Sequence, residues 1–127
     1  PPMVALPLPP DLRGCAPRLG TMTQPPALRD LCLAAVRGAG LSAVGELFHR
    51  FPAPGGVTGV VLLAESHMAV HTWPEMNAVT LDVYVCNFGG DNSARAEALL
   101  AALIGAFAPE RIERHALRRG AAAASPA

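Results

Sequence analysis

The chain has 127 residues, enough for one domain, with 10 basic and 10 acidic residues and therefore a formal net charge of zero. A neutral chain with no basic run is not expected to bind nucleic acid or a membrane surface, and its apolar stretches are shorter than the roughly 18 residues of a spanning helix. Three cysteines with no metal-type spacing indicate a reducing cytoplasm, and the proline-broken start does not resemble a signal peptide.

The first half of the chain predicts three strands and one helix. The proline-rich residues 1–10 leave room for an edge strand over Met3–Leu8 at most, and residues 11–25 predict an irregular connection. Apolar residues at helical spacing predict a helix from Pro26 to Gly38. Residues 42–51 predict a strand, and Val57–Ala64 predicts a buried one.

The second half predicts a strand, a helix and a final strand. Residues 78–86 alternate: one side is apolar, and the other carries Thr80, Asp82, Tyr84 and Cys86 towards a site or an interface. A helix capped by Asp91 or Asn92 is expected to end before Pro109, with a last strand over Arg111–Leu117.

This element order predicts an α+β fold, a two-layer sandwich of one antiparallel sheet with two helices on one face. The uncovered face and the low aromatic content of 5% favour a homodimer. We expect a proline-rich N-terminal segment over residues 1–26, a single domain over 27–119 and a disordered tail over 120–127.

The run AESHMAVHTWPE, residues 64–75, carries the most chemical information. A serine hydroxyl can attack the preceding carbonyl and turn the amide into an ester. Loss of the serine α-proton then breaks the ester, and the resulting dehydroalanine hydrolyses to a pyruvoyl group. His71 can act as the base for Ser66 because histidine titrates near neutral pH. The two are an odd number of residues apart, so a flat strand would put them on opposite faces. We therefore expect a bend between them, or a movement of Ser66 after cleavage.

This run closely resembles the processing site of the bacterial S-adenosylmethionine decarboxylases, with GVTG before it and D-x-x-x-C after it. The resemblance implies a zymogen that cleaves itself between Glu65 and Ser66. It also implies a pyruvoyl cofactor made from Ser66, which forms a Schiff base with the substrate amine. In the family pattern His71 and Thr58 assist processing, Thr58 standing where the family has serine, and Cys86 is the general acid.

The same resemblance implies a binding site for S-adenosylmethionine. Trp73 and Phe51 correspond to aromatic residues that hold the adenine ring, and Glu75 to a carboxylate that binds the ribose hydroxyls. The implied activity is that of a carboxy-lyase that supplies the aminopropyl donor for spermidine, a polyamine, as a homodimer of cleaved protomers.

Three other interpretations are open at this level. The same machinery could decarboxylate ornithine or arginine, or the chain could be a homologue that neither cleaves itself nor catalyses a reaction. A metal site formed by His67, His71 and Cys86 is disfavoured, because a His-x-x-x-His pair needs a helix and this valine-rich segment does not favour one. We therefore expect no metal ligands.

Overall fold

A computed structural model describes residues 9–64, 66–85 and 92–114, together with the backbone of residues 3–5 and 86. Within these residues the helices are α1 (Pro25–Gly38) and α2 (Ser93–Phe107). The strands are β1 (Met3–Ala5), β2 (Pro10–Arg13), β3 (Ala43–Arg50), β4 (Val57–Leu63), β5 (Ser66–Trp73), β6 (Ala78–Cys86) and β7 (Arg111–Arg114). A short 3-10 helix, Pro74–Met76, joins β5 to β6.

All the strands form one antiparallel sheet in the order β3-β4-β5-β6-β2-β7, with β1 pairing with the far end of β6. Helix α1 packs on β3 and β4, and α2 packs on β6 and on α1. Their apolar sides meet the buried residues of the strands in a single core, including Leu28, Cys32, Leu81, Leu103 and Phe107. The predicted two-layer α+β architecture is thereby confirmed.

Strand β6 shows the predicted alternation. Its odd-numbered residues are at most 3% exposed, whereas Thr80, Asp82 and Tyr84 on the opposite face are only partly buried. The predicted strands at β3 and β4 and both helices are also confirmed, with Asn92 at the N-cap position of α2. Residues 6–8, Asp91 and 115–127, which carry parts of the predicted termini, lie outside the described residues.

Two strands were not predicted. Residues 11–13 were expected to be irregular but belong to β2, where Leu12 is fully buried and pairs with both β6 and β7. Strand β5 pairs with β4 from Ser66 to His71 and with β6 from His67 to Trp73. The expected bend between Ser66 and His71 is therefore wrong, because the hydrogen-bonded ladder on both sides holds this segment as one strand. The alternative expectation, a movement of Ser66 after cleavage, stays a prediction.

Within the described residues, neither helix covers the second face of the sheet, here called the open face. Leu47 of β3 is 72% exposed and Leu62 of β4 is 50% exposed on this face. No helix in the described part of the chain is long and apolar enough to cross a membrane.

Candidate active site

A cleft of about 190 Å³ lies where β4 begins and β5 ends. Five of the residues predicted from the sequence line it: Phe51, Thr58, His71, Trp73 and Glu75. They come from the loop before β4, from the two strands and from the 3-10 helix after β5. The fold thus brings together residues that are up to 24 positions apart in the sequence.

Thr58 and His71 form the polar centre of this cleft. They are direct partners in the β4–β5 ladder, and Thr58 Oγ1 lies 3.0 Å from His71 Nδ1, within hydrogen-bonding distance. The threonine hydroxyl can donate to an unprotonated Nδ1 or accept from a protonated one. Either arrangement fixes the orientation of the imidazole, as a general base requires.

The pair belongs to a polar row that crosses the open face of the sheet. Direct cross-strand partners lie on the same face, with Cβ atoms about 5 Å apart. The register makes each member the neighbour of the next, in the order His49, Thr58, His71, Thr80, Asp11 and Glu113. His71 therefore has a hydroxyl neighbour on both sides.

The walls of the cleft are aromatic and acidic. The indole N–H of Trp73 donates to Thr80 Oγ1 at 3.2 Å, and the ring remains 42% exposed. The Phe51 ring is 49% exposed and meets the His49 ring edge-on, with 4.7 Å between ring centroids. Glu75 is exposed in the 3-10 helix between them. Aromatic faces beside a carboxylate favour a cationic ligand.

Both glycines of the GVTG run are required by close contacts. A Cβ on Gly56 would lie 2.5 Å from the carbonyl oxygen of Thr72, and a Cβ on Gly59 would clash with the ring of Phe48. The Gly56 contact lets the start of β4 approach the end of β5, and the Gly59 contact lets β4 approach the Phe48 ring of β3.

Ser66 lies at the opposite end of β5. It is the first residue of the strand, and its hydroxyl donates to the carbonyl of Ala64 at 3.1 Å. Five residues of extended chain separate it from His71, a distance of about 16 Å, and strand alternation puts the two side chains on opposite faces. The pairing of His67 with Tyr84 places the end of β6, where Cys86 lies, beside Ser66. Glu65 and the side chain of Cys86 lie outside the described residues.

Known proteins similar to this chain agree on one family. The family model described as S-adenosylmethionine decarboxylase matches residues 9–120. The chain belongs to the S-adenosylmethionine decarboxylase family. The S-adenosylmethionine decarboxylase proenzyme of Aquifex aeolicus is 42% identical over 93 residues, which cover 73% of this chain and 65% of that protein. The corresponding proenzyme of Archaeoglobus fulgidus is 40% identical over 93 residues, covering 73% of this chain and 79% of that protein.

A solved structure agrees with the sequence relatives. The crystal structure of the adenosylmethionine decarboxylase from Aquifex aeolicus superposes with a TM-score of 0.73 at 34% identity, covering 85% of this chain and 83% of that one. The matched region spans slightly less than two thirds of the Aquifex aeolicus proenzyme sequence, 65%, and of its Persephonella marina counterpart, 66%.

The site residues predicted from the sequence therefore fall into two groups in this fold. The cleft holds Phe51, Thr58, His71, Trp73 and Glu75, whereas Ser66 and the Cys86 backbone lie at the other end of the sheet. His67 belongs to the second group, where its ring stacks on that of Tyr84 with 5.6 Å between centroids. It is about 13 Å from His71 along the strand, too far for one metal ion to bind both.

The other two cysteines are structural in character. Cys32 is fully buried in α1, and burial raises the pKa of its thiol to about 12. Burial also raises the pKa of the Cys15 thiol, against a smaller lowering by a hydrogen bond to the backbone of Val79. Thiols protonated in this way are poor nucleophiles.

Sequence reasoning missed two residues that shape the cleft. Thr72 is 4% exposed and hydrogen-bonded on its side chain, and Thr80 holds the indole of Trp73. Thr80 was assigned only to the polar face of its strand. Thr72 stands inside the HTWPE run, and its place in that run was the one signal available in the sequence.

Proposed function

We propose that this chain is a pyruvoyl-dependent S-adenosylmethionine decarboxylase that cleaves itself between Glu65 and Ser66. One observation carries the proposal. A single cleft contains a hydroxyl–imidazole pair, two exposed aromatic rings and a carboxylate, as the resemblance expects of an adenosyl site. S-adenosylmethionine is a sulfonium cation with an adenine ring and a ribose diol, so its charge and its groups match the aromatic and acidic walls of this cleft.

The position of Ser66 suits a pyruvoyl group. The peptide bond to be cleaved lies in the short connection between β4, which ends at Leu63, and β5, which begins at Ser66. After cleavage both new ends remain attached to the sheet through strand pairing, so the pyruvoyl group keeps a fixed position. When formed, that group supplies an electrophilic carbonyl that binds the substrate amine and accepts electrons as carbon dioxide leaves.

Residues of this chain carry out proton transfer and substrate binding. His71, oriented by Thr58, removes the Ser66 α-proton during processing. Trp73 and Phe51 stack on the adenine ring, and Glu75 accepts hydrogen bonds from the ribose hydroxyls. Cys86 donates the proton that replaces the lost carboxylate.

These roles require two copies of the chain. Within one copy Ser66 and His71 are separated by about 16 Å, whereas proton transfer needs a contact of about 3 Å. A two-fold axis through the open face would lay the cleft of one protomer against the Ser66 end of its partner. Since the Ser66 side chain lies on the other face, the group presented to that cleft is the α-carbon and its proton, and this is the proton that His71 removes. The exposed Leu47 and Leu62 on that face support such a homodimer, since burying them would remove apolar surface from water.

Carbon dioxide release from carboxyl-labelled S-adenosylmethionine, ornithine and arginine tests this function. We expect release from S-adenosylmethionine alone by the wild-type protein, and none from a Ser66→Ala variant. Release from ornithine or arginine in preference would assign another substrate to the same machinery. No release from any of the three by cleaved protein would contradict decarboxylation.

A further inference from the structure

Thr72 lines the cleft together with its chain neighbours His71 and Trp73, yet its hydroxyl is hydrogen-bonded away from the cleft. Its side chain is buried on the helix-covered face of the sheet, at 4% exposure. The hydroxyl donates to the carbonyl of Met22 at 2.7 Å and accepts from the backbone N–H of Val57 at 2.8 Å. One hydroxyl thus joins three separate chain segments.

Each of these segments leads to the cleft. Val57 precedes Thr58, whose hydroxyl meets His71, and Thr72 itself lies between His71 and Trp73. The backbones of Gly56 and Thr72 also approach each other closely, because a Cβ on Gly56 would lie 2.5 Å from the Thr72 carbonyl oxygen. The carbonyl of Gly56 in turn accepts from the N–H of Phe51 at 2.9 Å. Both sides of the cleft therefore converge on Thr72.

The third segment anchors this junction to the core. Met22 is 8% exposed and belongs to the connection that leads into α1. That connection is held by its own backbone hydrogen bonds, including one from the N–H of Gln24 to the carbonyl of Gly20 at 2.9 Å. Thr72 is therefore held from the side opposite the cleft.

We propose that Thr72 is a positioning residue for the adenosyl site. Its hydroxyl fixes the distance between the Thr58–His71 pair and the Trp73–Glu75 wall, and its hydrogen bonds are made to the protein rather than to substrate. This role rests on the proposed function, since it assigns the cleft to S-adenosylmethionine. The mechanical part of the role, control of the position of Trp73, is independent of that assignment.

The chain offers a direct probe of this junction, because Trp73 is the only tryptophan in the sequence. Its fluorescence reports the geometry one residue away from Thr72. We would make all variants in a Ser66→Ala background, so that each protein is a single uncleaved chain. Acrylamide quenching of Trp73 then measures its accessibility, and titration with S-adenosylmethionine measures affinity.

Four variants separate positioning from simple stability. Thr72→Val keeps the shape of the side chain but leaves the Met22 carbonyl and the Val57 N–H without their partner. Thr72→Ala is a second truncation in case the valine variant does not fold. Thr72→Ser retains the hydroxyl. Val36→Ala removes buried apolar contacts in α1, outside the three segments that Thr72 joins, and so lowers stability without touching the junction.

We expect Thr72→Val and Thr72→Ala to roughly double the quenching of Trp73 and to weaken S-adenosylmethionine binding about tenfold, equivalent to about 1.4 kcal/mol. Thr72→Ser and Val36→Ala should stay within about twofold of the parent on both measures. In the self-processing background, Thr72→Val should raise KM about tenfold and change kcat much less, the pattern of lost binding rather than lost chemistry.

Unchanged quenching and affinity in folded Thr72→Val or Thr72→Ala protein would overturn the inference. So would a serine variant as impaired as the valine variant, because the hydroxyl would then not be the cause. If self-cleaved wild-type protein releases no carbon dioxide from S-adenosylmethionine, the proposed function fails. The quenching comparison still decides in that case whether Thr72 positions Trp73.

Discussion

Mixing two inactive variants should restore self-cleavage, because the pairing of β5 holds Ser66 and His71 apart within one protomer. They lie about 16 Å apart along one paired strand and on opposite faces. A catalytic base needs about 3 Å, so an intramolecular reaction would require β5 to leave the sheet over most of its length. If the site forms between copies, the partner's His71 acts on Ser66 instead.

The test uses a Ser66→Ala chain and a His71→Ala chain that carry different affinity tags and are coexpressed. In the heterodimer one site contains both intact residues and the other contains neither. The His71→Ala chain retains its serine and should be cleaved in purified heterodimers, while the Ser66→Ala chain stays whole. With random association at equal expression, about half of all His71→Ala chains would be in heterodimers and therefore cleaved.

The assay is denaturing electrophoresis of doubly tag-purified heterodimer, with each variant expressed alone as the control. Both controls should remain uncleaved. A heterodimer that also remains uncleaved, beside wild-type protein that cleaves, would refute the reasoning. The site would then lie within one chain, and processing would need a rearrangement of β5.

Three further outcomes follow from single contacts. Thr58→Val should slow self-cleavage at least tenfold and Thr58→Ser should not, because the hydroxyl lies 3.0 Å from His71 Nδ1. The cleaved fraction measured over time gives the rate, and equal rates for Thr58→Val and wild type would contradict this prediction. Glu75→Gln should raise KM for S-adenosylmethionine about tenfold with little change in kcat, since a charge-assisted hydrogen bond is lost. Steady-state kinetics measure both constants, and an unchanged KM would contradict this prediction. The free energy of unfolding should fall as pH rises from about 9 towards 12. In this range the Cys32 thiol of the unfolded chain loses its proton, whereas the buried thiol of the folded chain, whose pKa is raised to about 12, keeps it. Urea unfolding should show this slope, up to about 1.4 kcal/mol per pH unit, reduced in Cys32→Ala. Since the sequence contains no lysine, few other groups titrate there, and an unchanged slope would count against the assignment.

Much of the fold was predictable because its patterns are local. The alternation in β6 and the helical spacing in α1 and α2 are complete within single segments, and these elements were predicted correctly. Strand β2 was missed because it has only four residues and begins with Pro10, so its one buried residue of note, Leu12, gives no pattern. Proline is tolerated as the first residue of a strand, so Pro10 was only a weak indication that a strand begins there.

The candidate site shows the same contrast between local patterns, which the sequence reveals, and long-range contacts, which it does not. The resemblance identified His71, Trp73 and Glu75 because they stand together in one short run. Thr72 stands in the same run, yet its role depends on partners 50 and 15 positions away, which only the folded chain brings together. The parity of Ser66 and His71 correctly predicted opposite faces for a flat strand. The continuous pairing of β5 rules out the expected bend, and this is why the proposed function takes the base from a second copy.

Intact mass spectrometry of the purified wild-type protein beside Ser66→Ala tests the self-processing mechanism most directly. We expect two wild-type fragments, one ending at Glu65 and one beginning with a pyruvoyl group at position 66, and a single full-length chain for the variant. A single uncleaved wild-type chain under native conditions would contradict the mechanism, whatever the shape of the cleft.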